Sequence, residues 1–300
     1  MDFFSLKRVL GLSLLKLLTA VVLIAEPSLL QAQVRCAGLF EIAGKTQIEN
    51  QYIKSNMFKV GRHLWTYDEL LPFVRSKRLM SIMKDLPPGS VWVDMGAGAG
   101  QALWDGLTLN RNIRGVGIAY KRPDYPWVDL QDDHLHGRVE YLEGDFVENM
   151  DRGRKLDHLK GRIDLITDIY GPLSYSKDLP LLLQTNMNLL KKDGLLIFSV
   201  MTETGVTMLK DPPEPVSLNA VFKNSQRLPE GLLAWIRTIP GIELVETTPF
   251  HNNAGPAYEN SVAIKIRKTQ DDVRVPRTLK TIDYQSGAPP SRVFEVTEDP

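Results

Sequence analysis

The sequence predicts an α/β fold built on a mostly parallel sheet, and three observations predict it. Apolar runs recur at Val91–Asp94, Gly115–Ala119, Val139–Glu143, Ile163–Asp168 and Leu195–Met201. They are apolar continuously rather than at alternate positions, which is the pattern of strands buried on both faces between layers of helix. Segments with helical or loop character separate them. Finally, the first run ends in an acid and passes through three glycines into a helical segment, a junction typical of ligand-binding α/β sheets.

At 300 residues, the chain has room for one large domain with appendages. Lysine plus arginine and aspartate plus glutamate each total 36, so no global charge excess would hold the protein on nucleic acid or acidic lipid. Cys36 is the sole cysteine, which excludes an intramolecular disulfide and any multi-cysteine metal site within one chain. The reading divides the chain into residues 1–36, residues 37–267 as the domain, and residues 268–300 as a poorly ordered tail.

The N-terminal division follows from Lys7 and Arg8, which precede an apolar run from Val9 to Ile24 broken only by Ser13, Lys16 and Thr19. That is the layout of an export signal, with a cleavage site before Gln33, or of an uncleaved membrane anchor. Against an anchor, the run is shorter than the roughly 20 residues that span a bilayer, and Lys16 falls near its middle. A buried or amphipathic soluble helix is the third reading. An export signal or anchor implies a cell-envelope location with membrane association.

Within the domain, helical spacing runs from Tyr67 to Leu86, with Thr66 as N-cap, Pro72 in its first turn and Pro87-Pro88-Gly89 as its stop. Ala99–Leu109 and Ser176–Leu190 supply crossover helices. Between Ala119 and Val139, Pro123 and Pro126 leave the usual helix short or absent. Leu228–Ile239 reads as a helix closed by Pro240-Gly241, and Ile242–Thr247 with Val262–Ile266 reads as a terminal antiparallel pair. Pro249–Glu259 between them is a loop long enough to reach over a site. From Lys268 onward charge and proline dominate, the basis for expecting a poorly ordered tail.

The sharpest motif is Val91-Trp92-Val93-Asp94-Met95-Gly96-Ala97-Gly98-Ala99-Gly100. Glycine lets a ligand approach the backbone where any side chain would collide with it. A dinucleotide fingerprint would require a further glycine at position 101, where Gln101 stands. The spacing here is instead D-x-G-x-G-x-G. It resembles the first motif of the class I S-adenosylmethionine-dependent methyltransferases, and Tyr141–Phe146, Ile163–Pro172 and Lys191–Ile197 fall where that family's third, fourth and fifth strands would follow, over roughly residues 65–267.

The resemblance implies a Rossmann-like, seven-stranded methyltransferase sheet, mostly parallel with an antiparallel C-terminal strand and helices on both faces. It implies S-adenosylmethionine as cofactor. Gly96, Ala97, Gly98 and Gly100 would line its methionine portion and Asp94 would engage its amino end through water or the loop backbone. Asp145 would meet the adenine amine, with Phe146 beside the ring. The family's second strand should end in an acid that grips the ribose, and Gly117 is read as standing in its place, with Tyr120, Asp124 or Asp129 as substitutes.

Methyl transfer from a sulfonium requires alignment more than acid–base chemistry. Where a base is needed, Asp168 and Tyr170 at the end of the fourth strand are the catalytic candidates, with His251 on the late loop behind them. Each has a plainer reading: Asp168 caps a turn, Tyr170 walls a pocket, and His251 is solvated. His134-x-His136 lacks further ligands, so no metal is expected. The acceptor is expected to be a small molecule, a lipid or a protein, with no nucleic acid. Two rivals stay open, a same-fold aminopropyltransferase and a non-catalytic envelope module with a relic loop. An exported domain would lack the cofactor, which favours the cytoplasmic face for a working enzyme.

Overall fold

The apolar runs form strands of one sheet. In chain order they are β1 (Val91–Met95), β2 (Arg114–Ile118), β3 (Val139–Leu142), β4 (Ile163–Asp168), β5 (Leu190–Glu203), β6 (Ile242–Phe250) and β7 (Asn260–Lys268). The computed structural model describes residues 62–119, 135, 137–144, 147–169, 171–175, 178–203, 230–250, 260–285 and 291–296. Across the sheet the order is β3-β2-β1-β4-β5-β7-β6. Pairs among β1 to β5 are parallel, and β7 runs antiparallel to both β5 and β6. The expected seven-stranded, mostly parallel sheet is therefore present, with its antiparallel strand slotted between β5 and β6.

The Lys191–Gly194 turn expected before the fifth strand lies inside β5. Asp193 adopts φ 65°, and the pairing with β4 shifts register between Ile163 and Leu165, so the turn is absorbed as an irregularity of a longer strand.

Helices cover both faces. Seven are described: α1 (Leu64–Leu70), α2 (Leu79–Asp85), α3 (Gln101–Leu109), α4 (Val147–Arg152), α5 (Pro172–Tyr175), α6 (Leu179–Leu189) and α7 (Glu230–Arg237). One face of the sheet packs Val93, Met95, Ile166, Phe198 and Ile264 against residues of α4, α6 and α7. The other packs Trp92, Leu165, Ile197 and Ala263 against α1, α2 and α3. Residues alternate between the faces along each strand, as the pleat requires.

The single lead-in helix expected over residues 67–86 is two helices. The first starts at Leu64, so Pro72 falls beyond its second turn, where proline cannot donate and its ring pushes Leu71 out of helical conformation, to φ −125° and ψ 65°. Thr66 is not the N-cap. His63 is, and the α3 carboxylate of Asp105 accepts the Leu64 N–H at 2.9 Å in place of a local cap. Asp68 performs the same service for α2, accepting the Met80 N–H at 3.1 Å.

The expectation of a poorly ordered tail is also corrected. Val273, Val275 and Leu279 are buried in the core beside α6 and α7. Gln184 ties the segment down, donating to Val273 O and accepting from Val275 N, and β8 (Leu279–Gln285) pairs with β9 (Ser291–Val296). Three apolar residues spaced over Val273–Leu279 suffice for that contact, which composition alone hides. Of the connection between β2 and β3, Leu135 is described and buried, but residues 120–134 are not described. Residues 1–36 also lie outside the described residues, and among those described no helix is long and apolar enough to cross a membrane.

Candidate active site

The glycine turn connects β1 to α3 with Gly96, Gly98 and Gly100 at φ 81°, 56° and 86°. Gly96 and Ala97 donate their N–H groups to Ile118 O, at 2.8 and 3.1 Å, so the turn leans on the end of β2. Its other side touches the turn after β4. A Cβ on Gly96 would lie 2.9 Å from Gly171 Cα, and one on Gly171 would lie 2.4 Å from Met95 O. Two backbones therefore meet where neither tolerates a side chain, and each fixes the other. Ala97 is buried in the apolar cluster under the turn.

Asp94 is fully buried at the end of β1. Thr167 of β4 donates to its Oδ1 at 2.8 Å and Tyr67 of α1 donates to its Oδ2 at 2.9 Å, while Trp92 Nε1 donates to Thr167 Oγ1 at 2.9 Å. Burial pushes the Asp94 carboxyl up to about 7, against the opposing pull of the Thr167 and Tyr67 hydrogen bonds and the Arg62 charge. The same burial, with the Asp94 charge beside it, raises Tyr67 well above the usual phenol range. Arg62 donates from Nη1 to Ile169 O at 3.2 Å and so stands at the mouth between α1 and β4. A buried acid thus faces a nearby guanidinium, the pairing that suits a ligand end bearing both an ammonium and a carboxylate.

Asp168, fully buried, accepts the Gly171 N–H at Oδ1 and the Leu173 N–H at Oδ2, both at 2.9 Å. Its carboxylate shapes the turn that carries Gly171 against Gly96, which is the capping role set beside the catalytic one. Tyr170, Asp145, Phe146 and His251 lie outside the described residues. The structure thus brings together Asp94, Gly96, Ala97, Gly98, Gly100 and Asp168 around one turn.

Gly117 does not stand at the rim. It pairs with Asp94 and Tyr141 inside the sheet, and a Cβ there would meet Leu103 Cδ1 at 2.6 Å and Tyr141 Cδ2 at 2.7 Å. Two residues on, Ala119 is the next side chain on that face and the first beyond the strand. A side chain at position 117 would collide with Leu103 and Tyr141, so the Tyr141 ring fills the space that a larger residue there would need; Tyr120, Asp124 and Asp129 lie outside the described residues.

Sequence reading missed Arg62, Tyr67, Thr167, Gly171 and Gln101. Gln101, first residue of α3, is 7% exposed, and its Oε1 is buried with no hydrogen-bond partner. An orphaned buried acceptor costs about 1–3 kcal/mol, a cost that a bound donor would remove. A polar residue directly after the last glycine was the available signal for it. Tyr67 carried none, since it reads as an apolar helix position. Among the described residues no three His, Cys, Asp or Glu side chains converge as a metal site.

No protein-family model and no curated protein matches the chain. Solved structures do align with it. One is the 1,6-didemethyltoxoflavin-N1-methyltransferase of Burkholderia thailandensis, 20% identical, covering 74% of this chain and 88% of that one at a TM-score of 0.48. Another is the phosphoethanolamine N-methyltransferase 2 of Haemonchus contortus, 12% identical, covering 77% and 61% at 0.46. A third is the cyclase SpnF, 15% identical, covering 78% and 88% at 0.45.

Proposed function

We propose that the chain is a methyltransferase that takes its methyl group from S-adenosylmethionine. The observation that carries the reading is the junction of β1 and α3: an acid-ended central strand, then three glycines at positive φ pressed between the ends of β2 and β4. Such a turn offers backbone N–H groups and no side-chain bulk to the polar end of a nucleoside-bearing ligand.

The residues present fit that cofactor. Arg62 would take its carboxylate, and the orphaned Gln101 oxygen would meet its ammonium, with Asp94 acting on it through water or the loop backbone. When bound, the cofactor supplies an electrophilic methyl on a sulfonium, so the protein's task is to hold the acceptor in line and exclude water. Asp168 contributes by fixing the Gly171 turn, and Arg62 and Tyr67 hold the lead-in helix across the site. The acceptor is read as a small molecule, a lipid or a protein, because the balanced charge gives no footprint for nucleic acid. We place the protein at the envelope through residues 1–36, read as an export signal or an anchor, with the cofactor's supply favouring the cytoplasmic face for a working domain. A reporter fused after residue 40 tests that placement, and export of the domain would overturn it.

A second reading, a non-catalytic module, is favoured by one observation: both oxygens of the Asp168 carboxylate are occupied by backbone amides. Calorimetric titration of S-adenosylmethionine and its demethylated product into the full chain separates the two. Micromolar binding, lost in Gly98→Leu without loss of fold, supports the methyltransferase. Absence of binding by folded protein turns the assignment to the module.

A further inference from the structure

We infer that Tyr141 is a positioning residue that sets the shape of the glycine turn, and that Gly117 is glycine to let it do so. This deepens the cofactor-site reading and rests on it only for the affinity measurement below. Tyr141 lies on β3, two strands from the turn, yet its hydroxyl donates to Gly98 O. To reach it, the ring crosses β2 over Gly117, where a Cβ would sit 2.7 and 2.8 Å from two Tyr141 ring carbons. The register permits this geometry: Gly117 is paired with Tyr141 on one side and with Asp94 on the other.

The turn needs such a tether. Gly96 and Ala97 are held by Ile118 O, and Gly100 donates to Ala97 O, but Gly98 lies between these anchors at φ 56°. A glycine in that position moves among several conformations unless a partner fixes it. The Tyr141 hydroxyl fixes the carbonyl of Gly98, and with it the direction of the following N–H, the group that a ligand at the start of α3 would meet. Gly117, which reads in the sequence as a lost ligand contact, is the seat of the ring that holds the turn.

The variant Tyr141→Phe keeps the ring and removes the tether. Hydrogen exchange on the full chain is expected to speed up about tenfold at the amides of residues 98–101, as for loss of one hydrogen bond, with β2 and β3 unchanged. The dissociation constant for S-adenosylmethionine is expected to rise by a similar factor. Gly117→Ala should reproduce the exchange change by displacing the ring, and combining it with Tyr141→Phe should add nothing at residues 98–101. Unchanged exchange at the turn in Tyr141→Phe, or acceleration spread through β2 and β3, would overturn the positioning role. Because exchange is read without ligand, a wild-type protein that binds no cofactor would defeat the functional assignment while the tether is still decided.

Discussion

The two faces of the sheet are built from different materials. Beneath α4, α6 and α7 the contact is apolar: Val93, Met95, Ile166, Phe198, Leu183 and Trp235 belong to one buried cluster. Beneath α1 and α2 a polar row crosses the sheet, running Asp94, Thr167, Ile197, Lys265 and Glu246 through successive strand pairs. Each polar member of that row grips the lead-in segment or a neighbour that does. Glu246 accepts the N–H groups of Val74, Arg75 and Ser76 and the Ser76 hydroxyl. Lys265 Nζ donates to Ser76 Oγ and Lys77 O and lies 4.0 Å from the centre of the Phe73 ring. Apolar burial is non-directional and suffices to close a face, whereas hydrogen bonds fix where a cover sits. The α6 side has its own hydrogen bonds, from Lys268 Nζ to Met187 O and Leu190 O, but only the face that carries the glycine turn has its cover held by a row of polar groups across successive strands.

The largest effect should come from cutting the strongest of these grips. Glu246→Ala leaves three loop N–H groups unpaired and Lys265 buried without its nearest anion, and is expected to cost about 3–5 kcal/mol in chemical denaturation. Burial alone would raise the Glu246 carboxyl, but the hydrogen bonds from Ser76 and from the Arg75, Val74 and Ser76 backbone outweigh it and hold the group at about 2, below its ordinary 4.5. Its contribution is therefore complete above pH 4.5 and is lost as pH falls toward 2. The Glu246→Ala variant should lack that acid limb. A limb identical to wild type would remove Glu246 as its source.

On the apolar face, Leu183→Ala is expected to cost about 2–5 kcal/mol by opening a cavity. That cost should be the same at pH 5 and pH 8. A marked pH dependence for this variant would mean that the two faces are not as separate as their chemistry indicates.

The sequence disclosed the apolar face and the turn far better than it disclosed the polar row. Continuous apolar runs announce doubly buried strands, and three glycines after an acid announce the turn, because both patterns are local. The partners of Asp94 come from α1, 27 residues earlier, and from β4, 73 residues later, so no local pattern contains them. The packing at Gly117 was hidden for the same reason: the ring against it is Tyr141 across the sheet, not a neighbour along the chain. Pro72 misled because its effect depended on where α1 begins, and that start is set by Asp105 of α3 rather than by Thr66.

Asp94 gives the next prediction, and its sign is opposite to that of Glu246. With the folded-state carboxyl at about 7, above the ordinary 3.8, its contribution favours folding in acid and is lost as pH rises through 7. The variant Asp94→Asn should flatten stability between pH 4 and 7. Ligand affinity should move the other way, because an ammonium is attracted only by the ionised form. Affinity for S-adenosylmethionine is expected to be about tenfold weaker at pH 6 than at pH 8 in the wild type, and nearly constant over that range in Asp94→Asn. Equal pH profiles for the two proteins in the titration would remove Asp94 as the source of that attraction.

The smallest effect tests whether the lead-in helix tunes the site or only covers it. Tyr67→Phe preserves the buried ring and removes the donor to Asp94 Oδ2, leaving the Thr167 hydroxyl on Oδ1. A loss of about 1.5–3 kcal/mol is expected for one buried hydrogen bond to a charged group. Because the Tyr67 hydrogen bond lowers the Asp94 carboxyl, its removal should carry that group above 7 and shift the midpoint of the affinity–pH curve upward with it. A cover that merely packs would change the denaturation midpoint and leave the pH midpoint where it was. A shift in both would show that a residue of α1 sets the charge of the acid beneath the glycine turn, which is the sense in which a cover fixed by hydrogen bonds differs from one held by apolar contact.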